Sequence, residues 1–348
     1  MGNALRIPAL VILSAAAALS GCAQSPGQFW KPTEKELIWP LPPDLPRVRY
    51  EGTITAATIQ GNATRHGLSA VLRFIAGPPE VKLMTPHGVS ADTKTLALAD
   101  SGTAVVHLLD LTNGDYRAIE TVGTTRLQCP IGVAADGDGG VFVGDAVLRR
   151  VFHLSRRGRV VDEVTGDFQR PTGLAYDVAR RRLYVVDTPA HSVLTFQAEA
   201  GGYSLLRRLG GRGEERGSFN FPTHLSLAAN GNLYVTDSLN FRVQVFTPDG
   251  ETLQSFGRPG DGTGDFGTAK GVAVDSEGHV YVVDSLFDVV QIFDENGRFL
   301  LSFAGTGSED GELWLPTGAC TDGQDRLYVA DSGNSRIQVY RYVREQKP

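Results

Sequence analysis

The residues able to do chemistry in this chain fall at regular positions. Six aspartates, Asp100, Asp145, Asp187, Asp237, Asp284 and Asp331, follow one another at spacings of 45, 42, 50, 47 and 47 residues. Some fifteen residues before each aspartate stands a short lead-in segment opening on Pro86, Pro130, Pro171, Pro222, Ala269 or Pro316. The next residue is His87, Ile131, Thr172, Thr223, Lys270 or Thr317, and a glycine then follows in every case but the fourth, where His224 takes its place. Imidazoles transfer protons or ligate metals, a lysine holds an anion as a point charge, and carboxylates gathered together suit calcium. The candidate ligand-binding residues are therefore His87, Thr172, Thr223, His224, Lys270 and Thr317.

Positioning them falls to a repeated unit, clearest from Phe219 to Phe256. After Pro222 the segments Leu233–Thr236, Arg242–Phe246 and Thr252–Phe256 read as strands, with turn chemistry at Asn230-Gly231 and Pro248-Asp249-Gly250. Val243 and Val245 alternate with Arg242 and Gln244, the period of a strand with one buried face. A four-stranded antiparallel sheet of this size cannot bury its own apolar face and needs neighbours. Repeats of roughly 40 to 50 residues with four strands each predict an all-β, six-bladed β-propeller of four-stranded antiparallel blades. The last unit lacks a fourth strand, while Arg47–Ile54 alternates like a strand and belongs to no unit. It is expected to complete the last blade and so close the ring. The segment Thr55–Val81 then connects into blade one, with a short helix expected over Leu68–Phe74.

The stretches starting at Leu233 (Leu-Tyr-Val-Thr-Asp-Ser-Leu-Asn-Phe-Arg-Val-Gln-Val-Phe) and at Leu327 (Leu-Tyr-Val-Ala-Asp-Ser-Gly-Asn-Ser-Arg-Ile-Gln-Val-Tyr) resemble NHL repeats, as does Val280–Phe293. The resemblance covers roughly Leu83–Tyr342 and implies the same six-bladed fold. NHL propellers serve as enzymes, sensor domains and protein- or RNA-binding platforms, so the fold alone does not choose among these. One related enzyme family, the peptidyl-hydroxyglycine α-amidating lyases, holds zinc on histidines that follow the lead-in proline in alternate blades. Pro86-His87-Gly88 is similar to that motif once, but Ile131, Thr172, Thr223, Lys270 and Thr317 stand at the other positions. Three protein ligands are the rule for zinc, so no zinc and no cofactor is expected. Calcium in the channel, as in lactonase-type propellers, stays open. His224, one residue further along than His87, is expected to turn to the other face of its extended segment and to lie near Lys270 of the neighbouring blade. His191 sits in the loop after Asp187, on the same face.

A position filled six times in six blades is architectural, so the aspartates are read as turn-fixing acceptors of backbone N–H groups. Cys129 and Cys320 fall in blades two and six and are read as packing residues, not a disulfide. The net charge of −6 argues against nucleic acid, which wants a basic face, and leaves a local basic patch open. Its nearest candidates, Arg149-Arg150, Arg156-Arg157 and Arg180-Arg181-Arg182, read as solvated strand ends and turns.

Residues 1–21, with Arg6, an apolar run from Ile7 to Leu19 and then Leu-Ser-Gly before Cys22, resemble a bacterial lipoprotein signal. The resemblance implies cleavage before Cys22, lipidation of its thiol, and a place in the cell envelope outside the cytoplasmic membrane. Residues 22–46, rich in proline, are expected to form a tether, 47–343 the propeller, and 344–348 a short tail. The function expected is a non-catalytic scaffold for an envelope protein or a small polar ligand. The alternative is a metal-dependent extracytoplasmic hydrolase or lyase with its site at the channel mouth. A monomer is expected.

Overall fold

The computed structural model describes residues 27–63 and 80–344. Cys22, the signal segment, His66 and the helix expected over Leu68–Phe74 lie outside the described residues. Six antiparallel sheets form a six-bladed β-propeller. Blade one runs Pro86–Ala91, Thr95–Asp100, Val105–Asp110 and Tyr116–Ile119 from the axis outward, and blades two to five repeat the order from Pro130, Pro171, Pro222 and Ala269. Blade six takes Pro316–Thr321, Arg326–Asp331 and Arg336–Tyr342 from the C-terminal end and Val48–Ile54 from the N-terminal end, with Ile337 opposite Ile54 and Tyr342 opposite Val48. The closure expected from the missing strand is present.

Each blade is too thin to hold a core of its own, so the apolar side chains meet in the seams. One cluster fills each seam. Leu96 and Leu98 of blade one face Tyr328, Ile337 and Val339 of blade six, and Tyr184 and Val193 of blade three face Leu225 and Val235 of blade four. The second strand of each blade touches both neighbours and is buried along nearly its whole length.

Near the axis the seams close on backbone. A Cβ placed at Gly132 would overlap the carbonyl of Thr172 in the next blade, and one at Gly318 would overlap that of His87. Gly132→Ala is expected to lower the unfolding free energy by about 1–3 kcal/mol, the usual cost of overpacking, read as a lower midpoint in urea.

The proline-rich segment is not a free tether over its described part. Lys31–Pro32 and Ile38–Trp39 both pair with Val48–Ile54, adding two short strands outside blade six. Phe29 and Trp30 are buried in the seam between blades six and one. Trp39 packs on Phe303 and Tyr340, ring centroids 5.7 and 6.0 Å away. A helix not expected from the sequence follows at Ala56–Ala63. Its start is fixed by Thr55 and Thr58, whose side-chain oxygens each accept the other's backbone N–H at 3.3 and 2.9 Å.

Candidate functional site

The lead-in segments and the loops between second and third strands share one face, around the mouth of the axial channel. His87 enters from blade one and His224 from blade four, opposite each other in a ring of six. Their rings stack across the axis, centroids 5.6 Å apart and planes within 7°. The expectation that His224 turns away is therefore corrected. Each lead-in strand carries a β-bulge: Pro86 pairs with Asp100 but Gly88 with Ala99, and Pro222 with Asp237 but Leu225 with Val235. Simple two-residue alternation does not hold across an extra residue.

His224 also replaces the glycine that lets neighbouring lead-ins approach. Its backbone is carried by Thr236, whose hydroxyl accepts from the His224 N–H at 3.0 Å and donates to its carbonyl at 3.2 Å. The residue before the repeated aspartate is Ala99, Gly144, Val186, Val283 or Ala330 in the other blades. A lone hydroxyl in the same blade as the lone histidine was the signal for this support.

Both imidazoles are half-buried, yet each Nδ1 is enclosed and has no hydrogen-bond partner among the described residues. Burial, then the charges of Lys270 and Arg170, push the His87 pKa down to about 4. Burial, His87 and Lys270 hold His224 well below the ordinary histidine range. Lys270 is itself held below the usual lysine range, by burial and then by Arg170. The mouth thus gathers two neutral imidazoles and two cations of like sign with no carboxylate partner for them in hydrogen-bond reach among the described residues. Arg170 was missed from sequence. It stands directly before Pro171, where the other blades have Thr85, Cys129, Phe221, Thr268 and Leu315, so its charge was the available clue.

The three candidate threonines do different work. Thr172, Thr223 and Thr317 hydrogen-bond Thr188, Ser238 and Ser332, the hydroxyls that follow the aspartates of their own blades, at 2.8, 2.7 and 2.8 Å. Those partners donate in turn to the lead-in carbonyls of the next blade: Thr188 to Pro222 at 2.7 Å, Ser238 to Ala269 at 2.6 Å, and Ser332 to Pro86. The hydroxyls form blade-to-blade latches and are occupied.

His191 is likewise engaged, its Nδ1 accepting the Phe221 N–H at 3.1 Å. His107 meets the Tyr116 hydroxyl at 2.9 Å, His153 lies between Asp136 and Tyr203, and His279 bonds Asp275. All six aspartates accept backbone N–H groups from the residues just before or at the lead-in, and Asp100, Asp145 and Asp284 also accept them from the following turn. Asp145 takes those of Gln128, Cys129, Val147 and Leu148 at 2.7–3.1 Å. All six are fully buried.

A metal does not fit the mouth. In-plane lone pairs of stacked, parallel rings do not converge on a point, and two cations stand beside them. Among the described residues no three of His, Cys, Asp and Glu gather as a metal would require.

Residues 219–246 and 313–340 match the NHL repeat family; they belong to blades four and six. Solved structures share the fold at low identity. A protein of unknown function from Bacteroides thetaiotaomicron is 19% identical, with a TM-score of 0.59 over 76% of this chain and 70% of that one. Streptogramin B lyase is 11% identical, with a TM-score of 0.54 over 76% and 95%. Kuenenia stuttgartiensis hydrazine synthase is 13% identical, with a TM-score of 0.52 over 76% and 97%.

Proposed function

We propose that this NHL propeller is a non-catalytic binding module, held in the cell envelope by lipid on Cys22, that takes an anionic group at the mouth of its channel. One observation carries the reading. His87 and His224 face each other across the axis with enclosed Nδ1 atoms that have no partner among the described residues, the charge of Lys270 acts on both, and that of Arg170 acts on His87. A carboxylate or phosphate there relieves the repulsion, and imidazoles that take up a proton donate hydrogen bonds to it.

The chain enters the described residues at Gly27, packed against Leu111 on the face away from the mouth. Five residue steps lead from Cys22 to Gly27, at most about 18 Å of extended chain. A lipid on Cys22 therefore keeps that face toward the membrane and turns the mouth outward.

A metal-dependent hydrolase or lyase at the same mouth is the alternative. The donor geometry above does not favour it, and a neighbour named as a lyase at 11% identity carries the fold alone.

Succinate added to the full-length chain in detergent, with histidines labelled for NMR, tests the reading. The His87 and His224 resonances are expected to shift with saturation, and Lys270→Gln to weaken the titration at least tenfold. Unmoved resonances at high succinate would refute an anion site.

A further inference from the structure

The mouth is not only cationic at its centre. Large apolar side chains stand around it on the same face: Met84, Phe221, Leu239, Leu286, Trp314 and Leu315, from 37% exposed at Phe221 to 63% at Leu286. They belong to the lead-ins of blades one, four and six and to the loops between second and third strands of blades four and five. Hydrogen bonds hold several of these segments in place. The Leu239 N–H donates to Asn220, next to Phe221, at 3.0 Å. The Leu315 N–H donates to Asp288, two residues from Leu286, at 2.8 Å. Ser335 of blade six donates to the Met84 carbonyl at 2.6 Å. Lys270, in blade five, lies within the arc these side chains span, and the exposed Arg170 stands before the lead-in of blade three, beside blade four.

Exposed apolar groups of this size, gathered on one face and rimming polar residues, mark an interaction surface. Aromatic and aliphatic anchors around a charged centre match the composition of protein interfaces. Resting on the anion site proposed above, we infer that the mouth binds a segment of a protein partner that presents one carboxylate, an Asp or Glu side chain, flanked by aliphatic or aromatic residues. The carboxylate enters the channel toward His87, His224 and Lys270. The flanking residues cover the arc from Phe221 to Met84. Two features favour a protein segment over a lipid surface. Lys270 and the two histidines are half-buried at the channel mouth, where a side chain reaches them, and the described N-terminal segment begins at Gly27 on the opposite face.

The test uses the full-length chain in detergent and a library of nonapeptides with Asp or Glu fixed at the centre and random flanks, beside the same library centred on Asn or Gln. Enriched peptides are expected from the acidic library alone, with Leu, Phe or Trp in the flanks. Lys270→Gln is expected to weaken the best of them at least tenfold. So is the pair Leu286→Ser and Trp314→Ser, both exposed, so that folding is not at issue. If succinate still shifts the histidines but no acidic peptide is enriched, or the rim variants bind unchanged, the peptide inference falls while the anion site stands. If neither probe binds, both fall. Rim-dependent binding to phosphatidylglycerol vesicles with no peptide binding would make the face a membrane dock and overturn the inference.

Discussion

Asp237→Ala is expected to lower the unfolding free energy by about 3–5 kcal/mol, the range for removing one partner of a buried ion pair. The carboxylate is fully buried. It accepts the Asn220 N–H at 2.6 Å, the Asn240 amide and the Arg242 Nε at 2.8 Å, and the Gln244 amide at 3.1 Å. Alanine leaves the Arg242 guanidinium, 14% exposed, without its carboxylate. Its other acceptors among the described residues are the carbonyls of Glu215 and Ser218.

Blade five supplies the control. Among the described residues Asp284 accepts only the backbone N–H groups of Gly267, Thr268 and Leu286, and Val289 stands where blade four has Arg242. Asp284→Ala should therefore cost less, about 1–3 kcal/mol for unsatisfied donors. In a double-mutant cycle, Arg242→Leu on the Asp237→Ala background should recover part of the loss, because an apolar replacement removes the orphaned charge. Equal costs for Asp237→Ala and Asp284→Ala in chemical denaturation would show that the arginine adds nothing.

That contrast also marks what the sequence makes legible. The aspartate is a repeated letter, and repetition exposes architecture: blade count, strand order and the closing strand at Val48–Ile54 all follow from units that resemble one another. The turn role is also readable, and it holds at Asp100, Asp145 and Asp284, but the other set of donors is not, since those N–H groups lie seventeen or eighteen residues upstream at Asp145, Asp187 and Asp284. The threonines mislead because register places them at the mouth, whereas their hydroxyls are consumed by a latch visible only as a correlation with Thr188, Ser238 and Ser332. The histidine stack is further out of reach. It joins blades one and four across the axis, and a bulge defeats the alternation that would orient His224. The docking of Trp30 and Trp39 follows from seam shape, which no local pattern encodes. In a repeat protein the site is thus read from departures: His224 for glycine, Thr236 for an apolar residue, Arg170 and Lys270 for neutral ones.

Between pH 7 and pH 4 the protein is expected to lose stability through histidines that fold neutral. Burial and the neighbouring cations hold His87 down to about 4. Burial holds His107 to about 4 as well, against an opposing pull from Asp100. In the unfolded chain both take up protons near pH 6.5. The unfolded state then binds more protons from about 6.5 down to 4, so the contribution is fully present above 6.5 and is lost as pH falls through that window. Each group contributes on the order of 3 kcal/mol at full loss, and His224 acts in the same direction. Other groups titrate elsewhere. His279 is raised by its hydrogen bond to Asp275, so its contribution is present in acid and lost above the ordinary histidine range. Asp110 is lowered, hydrogen bonds from Thr112 and Arg156 outweighing burial, so it loses stability only below the usual carboxylate range. His87→Asn combined with His107→Gln should flatten the pH profile of the urea midpoint between 6.5 and 4, and unchanged slopes would mean that the rings charge freely in the fold. An anion at the mouth raises the pKa of the facing imidazoles. Succinate should therefore bind more tightly as pH falls, by up to about tenfold per pH unit for each proton taken up, until its own carboxylates begin to protonate, and it should partly restore stability over that range in the wild type but not in the His87→Asn, His224→Gly pair.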